Sequence, residues 1–93
     1  MHIGALFVRL HIPEAQSLKD KRQVLRGLET RIRKRFNVSL AEVEHQDLWQ
    51  RAGLAVVAVN TDRAHLEATL ESVAGEAANA RGAELIDQQM EVL

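Results

Sequence analysis

Four antiparallel strands in one sheet, with two helices packed on one face in the order β-α-β-β-α-β, is the α+β fold that the sequence predicts. Three observations predict it. Period-two alternation opens the chain and returns in its middle and at its end; two stretches of helical period separate these regions; and the middle region holds two strands in succession with no helix between them. The 93 residues make one domain, 1–93, because domains rarely fall below about 50 residues. An apolar fraction of 46% against 27% charged residues is ordinary globular composition and excludes a disordered or fibrous chain. Aromatic residues are limited to Phe7, Phe36 and Trp49, so the core is aliphatic. Without cysteine there is no disulfide, thiolate zinc site or thiol nucleophile, and a cytoplasmic location is the simplest expectation. No apolar run approaches the ~18 residues of a membrane span. Met1 to Ile12 alternates with His and Arg instead of forming a leader, so neither membrane insertion nor export is expected.

From His2 to Ile12 one face holds Gly4, Leu6, Val8, Leu10 and Ile12, and the other holds Ile3, Ala5, Phe7, Arg9 and His11. This first strand stops at Pro13. Ser17 stands as a helix N-cap with Asp20 three residues on, a short version of the capping box. Leu18, Leu25, Leu28, Ile32 and Phe36 then fall on one stripe of a helix over about 18–36. Val38 to Glu44 alternates as a second strand, placed at an edge because its later positions are charged. Gln46 to Arg51 lacks alternation and reads as a helical turn that drops Trp49 onto the core. Ala52 to Val59 is almost continuously apolar and reads as a central strand covered on both faces. A second helix starts at the Asn60 to Asp62 cap, carries Leu66, Leu70, Val73 and Ala77, and ends near Arg81 with Gly82 as its C-cap. Ala83 to Leu93 is the last strand, with Ile86, Met90 and Val92 in phase. The order is the split βαβ arrangement of ferredoxin-like domains, in which strands one and three lie in the middle.

The net charge of −1 conceals an asymmetry. Residues 17–36 carry Lys19, Lys21, Arg22, Arg26, Arg31, Arg33, Lys34 and Arg35 against Asp20 and Glu29, a balance of +6. The rest of the chain carries −7. A local positive field of this kind attracts a polyanion even when the whole protein is nearly neutral.

Ser17-Leu18-Lys19 with Lys21-Arg22, then Arg35-Phe36-Asn37-Val38-Ser39, Ala41-Glu42-Val43 and Gln46-Asp47-Leu48-Trp49-Gln50-Arg51 together carry a resemblance. The run Ser17 to Val57 strongly resembles the YlxP-like family of small bacterial proteins of unknown function, and a looser likeness covers nearly the whole chain. That resemblance implies a ferredoxin-like fold and a bacterial cytoplasmic protein. It also implies a gene set among those for translation initiation and ribosome maturation, including ribosome-binding factor A. It implies no established activity, so no catalytic role is carried over.

The basic helix is the first candidate site. At about 100° per residue, Lys19, Arg22, Arg26 and Arg33 fall in one arc beside the apolar stripe, and Lys34 stands at the helix C-terminus. A ridge of this kind can pair with successive phosphates. Glu29 sits in the same ridge within reach of Arg26 and Arg33, so part of the charge also reads as a self-neutralised solvated face. The central strand has no aromatic residues, so base stacking on the sheet, as in RNA-recognition motifs, is not expected.

Glu42, Glu44, His45 and Asp47 form the one grouping with metal or acid-base character. Glu42 and Glu44 point the same way if the strand is regular, and His45 away from them, but a charged solubilising edge explains them better than a metal site. Glu42 also suits an ion pair with the basic helix. His2, His11 and His65 share no face; Ser17 lacks a nucleophile elbow; Gly53, Gly75 and Gly82 form no phosphate loop. No cofactor is expected. The functional expectation is a non-catalytic bacterial domain associated with RNA or the ribosome through helix 17–36. The alternative is a homo-oligomeric protein-interaction module that does not bind nucleic acid, whose basic helix meets an acidic protein surface. Separately, a homodimer through the open sheet face of Ile3, Ala5 and Phe7 is expected. A metal-dependent enzyme using Glu42, Glu44 and Asp47 is the third hypothesis.

Overall fold

The alternation of residues 2–11 survives intact as strand β1 (His2–His11). Around it the computed structural model, which describes all residues from Met1 to Leu93, places helix α1 (Leu18–Arg35), strands β2 (Ser39–Glu44) and β3 (Arg51–Asn60), helix α2 (Arg63–Ala78) and strand β4 (Glu84–Val92). The sheet order is β2-β3-β1-β4 and every neighbouring pair is antiparallel. This is the ferredoxin-like βαββαβ arrangement, with β1 and β3 central as their apolar content predicts.

The β1–β3 ladder runs without interruption from His2↔Asn60 to His11↔Arg51. Because side chains alternate faces, that register sorts them into two sets. Leu6, Val8 and Leu10 meet Val56, Leu54 and Ala52 under the helices, all buried. Ile3, Ala5, Phe7, Arg9 and His11 meet Val59, Val57, Ala55, Gly53 and Arg51 on the opposite face. Leu25, Leu28 and Ile32 of α1 and Leu66, Leu70, Val73 and Ala77 of α2 close the core from above. Burying each such leucine contributes about 1.5–3 kcal/mol. Gly4 lets α2 approach this closely, since a Cβ there would lie 2.8 Å from a Leu70 methyl.

Capping follows the sequence. The Ser17 hydroxyl accepts from the Asp20 N–H at 3.0 Å, and the Asp20 carboxylate accepts from the Gln16 N–H at 2.9 Å. Asp62 caps α2 by accepting from the His65 N–H at 3.1 Å.

Four sequence expectations are corrected. Trp49 is 52% exposed and lies in no helical turn, because the 45–50 segment is held to Lys21 of α1 and to Ile12, Pro13 and Ala15 after β1 by hydrogen bonds that leave its tip outside the core. Strand β3 is covered by helices on one face only; Val57 and Val59 are 45% and 59% exposed. Helix α2 ends at Ala78 with Asn79 as C-cap, and Gly82 (φ 82°) serves the turn into β4 instead. Ile86 is the extra residue of a β-bulge, where β1–β4 pairing steps from Arg9↔Asp87 to Leu10↔Leu85, so Leu85 and not Ile86 packs on the core.

Candidate functional site

Lys21 completes the stripe that the sequence left open. Leu18, Lys21, Leu25, Leu28 and Ile32 recur at helical spacing, and the gap between Leu18 and Leu25 is filled by a lysine that is 1% exposed. An ammonium without water must be paired and hydrogen-bonded. Its Nζ donates to the Glu42 carboxylate at 2.8 Å, the His45 carbonyl at 2.8 Å, the Arg51 carbonyl at 3.2 Å and the Gln46 carbonyl at 3.4 Å. A single side chain of α1 therefore ties together the end of β2, the loop 45–50 and the start of β3. The expected ion pair of Glu42 with the basic helix is this one. Counting Lys21 among surface charges was the error of a composition-based reading; its place in the apolar stripe is the signal that finds it.

Further hydrogen bonds fix the loop. The Gln50 amide donates to the Pro13 and Ala15 carbonyls, both at 3.1 Å, while the Ile12 N–H donates to the Gln50 carbonyl at 2.9 Å. His45 adopts φ 61°, the left-handed region that a non-glycine residue enters at a cost. The Leu48 N–H donates to the His45 carbonyl at 3.0 Å. This rigid frame presents Leu48 and Trp49 to solvent beside a shallow depression of about 450 Å3 that His11 and Arg51 also line. Gln46, Gln50 and Glu42, which belong to the motifs behind the family resemblance, are all spent on shaping this loop.

The acidic cluster does not assemble as the regular-strand reading expected. A bulge at Val43 shifts β2–β3 pairing from Glu42↔Leu54 to Glu44↔Gly53. Glu42 turns to the helices and Lys21, while Glu44 turns to the open face, where it accepts from Arg9 at 3.1 Å. His45, expected to point away, sets its Nε2 3.0 Å from the Glu44 carboxylate. Asp47 belongs to the depression beside Trp49. The two carboxylates thus face opposite sides of the sheet and cannot share one cation. Gly53 makes the crossing possible, because a Cβ there would come within 2.6 Å of the Glu44 Cβ.

Arg9 organises the open face. It pairs with Glu44 and with Asp87 at 3.1 Å, and its guanidinium stacks 4.8 Å from the centre of the Phe7 ring. The hydrogen bond donated to Glu44, then that to Asp87, holds the guanidinium above its ordinary pKa. Ile3 and Phe7 are half-buried and Ala5 is exposed, next to Val57 and Val59 on the neighbouring strand. Ile3, Ala5 and Phe7 therefore lie together, as the alternation requires.

Helix α1 divides its cations between two fates. Arg31 and Arg35 both reach Glu76 of α2, and Arg33 donates to the Leu40 carbonyl at 3.0 Å. Lys19, Arg22, Arg26 and Lys34 are exposed and have no carboxylate within ion-pair distance. Lys19, Arg22, Arg26 and Arg33 form the arc that helical spacing predicts, about 21 Å long at ~1.5 Å per residue. Its flank toward β2 is marked by the Arg33 contact at one end and by the Lys21 contacts at the other. Glu29 forms no direct pair with either arginine; burial raises its carboxyl pKa, with Arg33 pulling the other way.

Residues 3–90 match the family described as "Protein of unknown function (DUF503)". The chain is 44% identical over 62 residues to the "Uncharacterized protein YlxP" of Bacillus subtilis (strain 168), covering 67% of each sequence. A crystal structure of a dimeric ferredoxin-like protein of unknown function from Jannaschia sp. CCS1 aligns over 94% of this chain and 97% of that one, with 19% identity and a TM-score of 0.30. With a match running from strand β1 to strand β4, the chain belongs to the DUF503 family.

Proposed function

We propose that the chain is a non-catalytic bacterial domain that docks on RNA or on a ribosomal surface through helix α1. The observation that carries this reading is the stripe Lys19, Arg22 and Arg26, extended by Arg33. Lys21, Arg31 and Arg35 pair with carboxylates of the chain itself, whereas Lys19, Arg22, Arg26 and Lys34 have no acidic partner. Side chains spaced along one helical edge suit successive phosphates, and arginine forks bind them bidentately. Such contacts favour shape over sequence. Pull-down from bacterial lysate with and without nuclease tests it. Ribosomal RNA or subunits should be recovered with the tagged protein and be lost when Lys19, Arg22 and Arg26 are replaced together by Glu. Recovery of proteins alone, insensitive to nuclease and to the triple substitution, contradicts it.

A second reading, self-association through the open sheet face, is favoured by a separate observation. Phe7, Val57 and Val59 stand on two adjacent central strands with apolar surface in water, where a soluble monomer usually keeps polar residues. The occupant of this reading is a second copy meeting the same face about a two-fold axis. It leaves both α1 stripes outward, so the two readings are compatible. Sedimentation equilibrium at micromolar concentration should give about twice the 10.4 kDa of one chain, and Phe7→Glu should bring it to one. A mass of one chain for the unmodified protein rejects this reading.

A further inference from the structure

A depression of about 470 Å3 lies away from the Lys19, Arg22 and Arg26 stripe and meets the open sheet face only at Val59. It sits where the C-terminal end of α1, the end of β3 and one side of α2 converge. Its polar lining is Arg35, Asn37, Asn60, His65, Thr69 and Ser72. Three of these come from α2 at spacings of four and three, so His65, Thr69 and Ser72 stand on one line along the helix. That line runs beside the buried Leu66, Leu70, Val73 row and is the one polar seam on this side of the helix.

Two features set the lining apart. First, it contains no carboxylate, although the chain has 13 Asp and Glu residues. Two acidic groups of α2 and its cap are already engaged. Asp62 caps α2, and Glu76 is shared by Arg31 and Arg35, which leaves that trio with one net positive charge. Second, its donors are unspent apart from Arg35, whose guanidinium already meets Glu76 on one side. Asn60 gives its amide oxygen to the Asp62 N–H at 2.9 Å, leaving its NH2 free. The side chains of Asn37, His65, Thr69 and Ser72 make no hydrogen bond within the chain. Phe36, Val59 and Leu66 supply an apolar wall. Hydrogen-bond donors, one net cation and an apolar wall in a volume of this size are the composition of a small-ligand site.

We infer that this pocket binds a small phosphate ester, with the phosphoryl oxygens on the Arg35, Thr69 and Ser72 side and an organic ring against Phe36. The inference is independent of the RNA reading, since none of Lys19, Arg22 and Arg26 lines the pocket. It also gives a use to Arg35-Phe36-Asn37, a motif segment that the Lys21 loop does not absorb.

Calorimetric titration of the intact protein with a nucleoside 5′-monophosphate, with inorganic phosphate and with the unphosphorylated nucleoside tests it. The monophosphate should bind saturably below about 1 mM, and the other two at least tenfold more weakly. A Thr69→Val, Ser72→Ala double variant should weaken the monophosphate about tenfold or more, and His65→Ala should lower it in the same direction. Both should keep the thermal midpoint of the unmodified protein, because these side chains hold nothing else. The Lys19, Arg22, Arg26 to Glu variant should bind the monophosphate normally. Absence of saturable binding at about 10 mM, equal binding of the nucleoside, or loss of binding in the α1 variant but not in the pocket variants would overturn the inference.

Discussion

A buried lysine is tolerated only where its charge is fully met, and Lys21 meets one carboxylate and three carbonyls. Removing it leaves Glu42 facing the helix layer with no counter-charge. Lys21→Met should therefore cost about 3–5 kcal/mol, whereas Glu42→Gln, which keeps an acceptor, should cost less. Denaturant unfolding checks the magnitudes. Trp49 is the sole tryptophan and there is no tyrosine, so its fluorescence should report loosening of the 45–50 loop in the same variants. Glu29 gives a pH prediction. Burial raises its folded pKa above the ordinary 4.5, so between the unfolded and folded values the folded state holds more protons and stability falls as pH rises. Glu29→Gln should stabilise the protein at neutral pH and lose that advantage below the ordinary carboxylate range. An equal effect at both pH values contradicts the assignment. Lys21 was legible from its place in the Leu18 to Ile32 stripe; its loop partners were not, because carbonyl oxygens carry no sequence signature.

The elements themselves were written in local pattern, and they failed to be legible where pairing overrides it. Alternation placed β1 correctly because its ladder with β3 is unbroken. At Val43 and Ile86 a single extra residue turns the strand over, and the phase read from sequence is inverted beyond it. That is why Glu42 and Glu44 seemed to share a face and why Ile86 seemed to belong to the core. Trp49 misled for a different reason: side-chain size argued for burial, while the loop around it is held by the Lys21 ammonium donating to the His45 carbonyl and the Gln50 amide donating to the Ala15 carbonyl. The candidate arc on α1 was legible because helical spacing needs no partner; which of its cations stay free was not, since Glu76 comes from the other helix. The arc's free residues also bear no structural contacts. Lys19, Arg22 and Arg26 replaced together by Glu should change stability by no more than about 0.5 kcal/mol, as thermal or urea unfolding would register. A large loss would mean that the stripe serves the fold.

At the scale of the whole molecule, the sheet separates two surfaces. One is the helix layer with its cationic edge; the other is an open face with apolar residues at one end and the Arg9, Glu44 and Asp87 pairs toward the other. On the proposed reading, docking on a polyanion would use the first and leave the second for a copy of the chain. Two α1 stripes on one dimer would raise avidity for an extended RNA surface without any new contact. The measurement that tests the central claim most directly is RNA affinity as a function of salt, read by fluorescence anisotropy on a labelled ribosomal RNA fragment. If three or four phosphates are neutralised by the α1 stripe, log K should fall with log[salt] at a slope of about −2 to −4 per chain, and the Lys19, Arg22, Arg26 to Glu variant should not bind. Affinity that is flat in salt, or unchanged in that variant, would contradict the account.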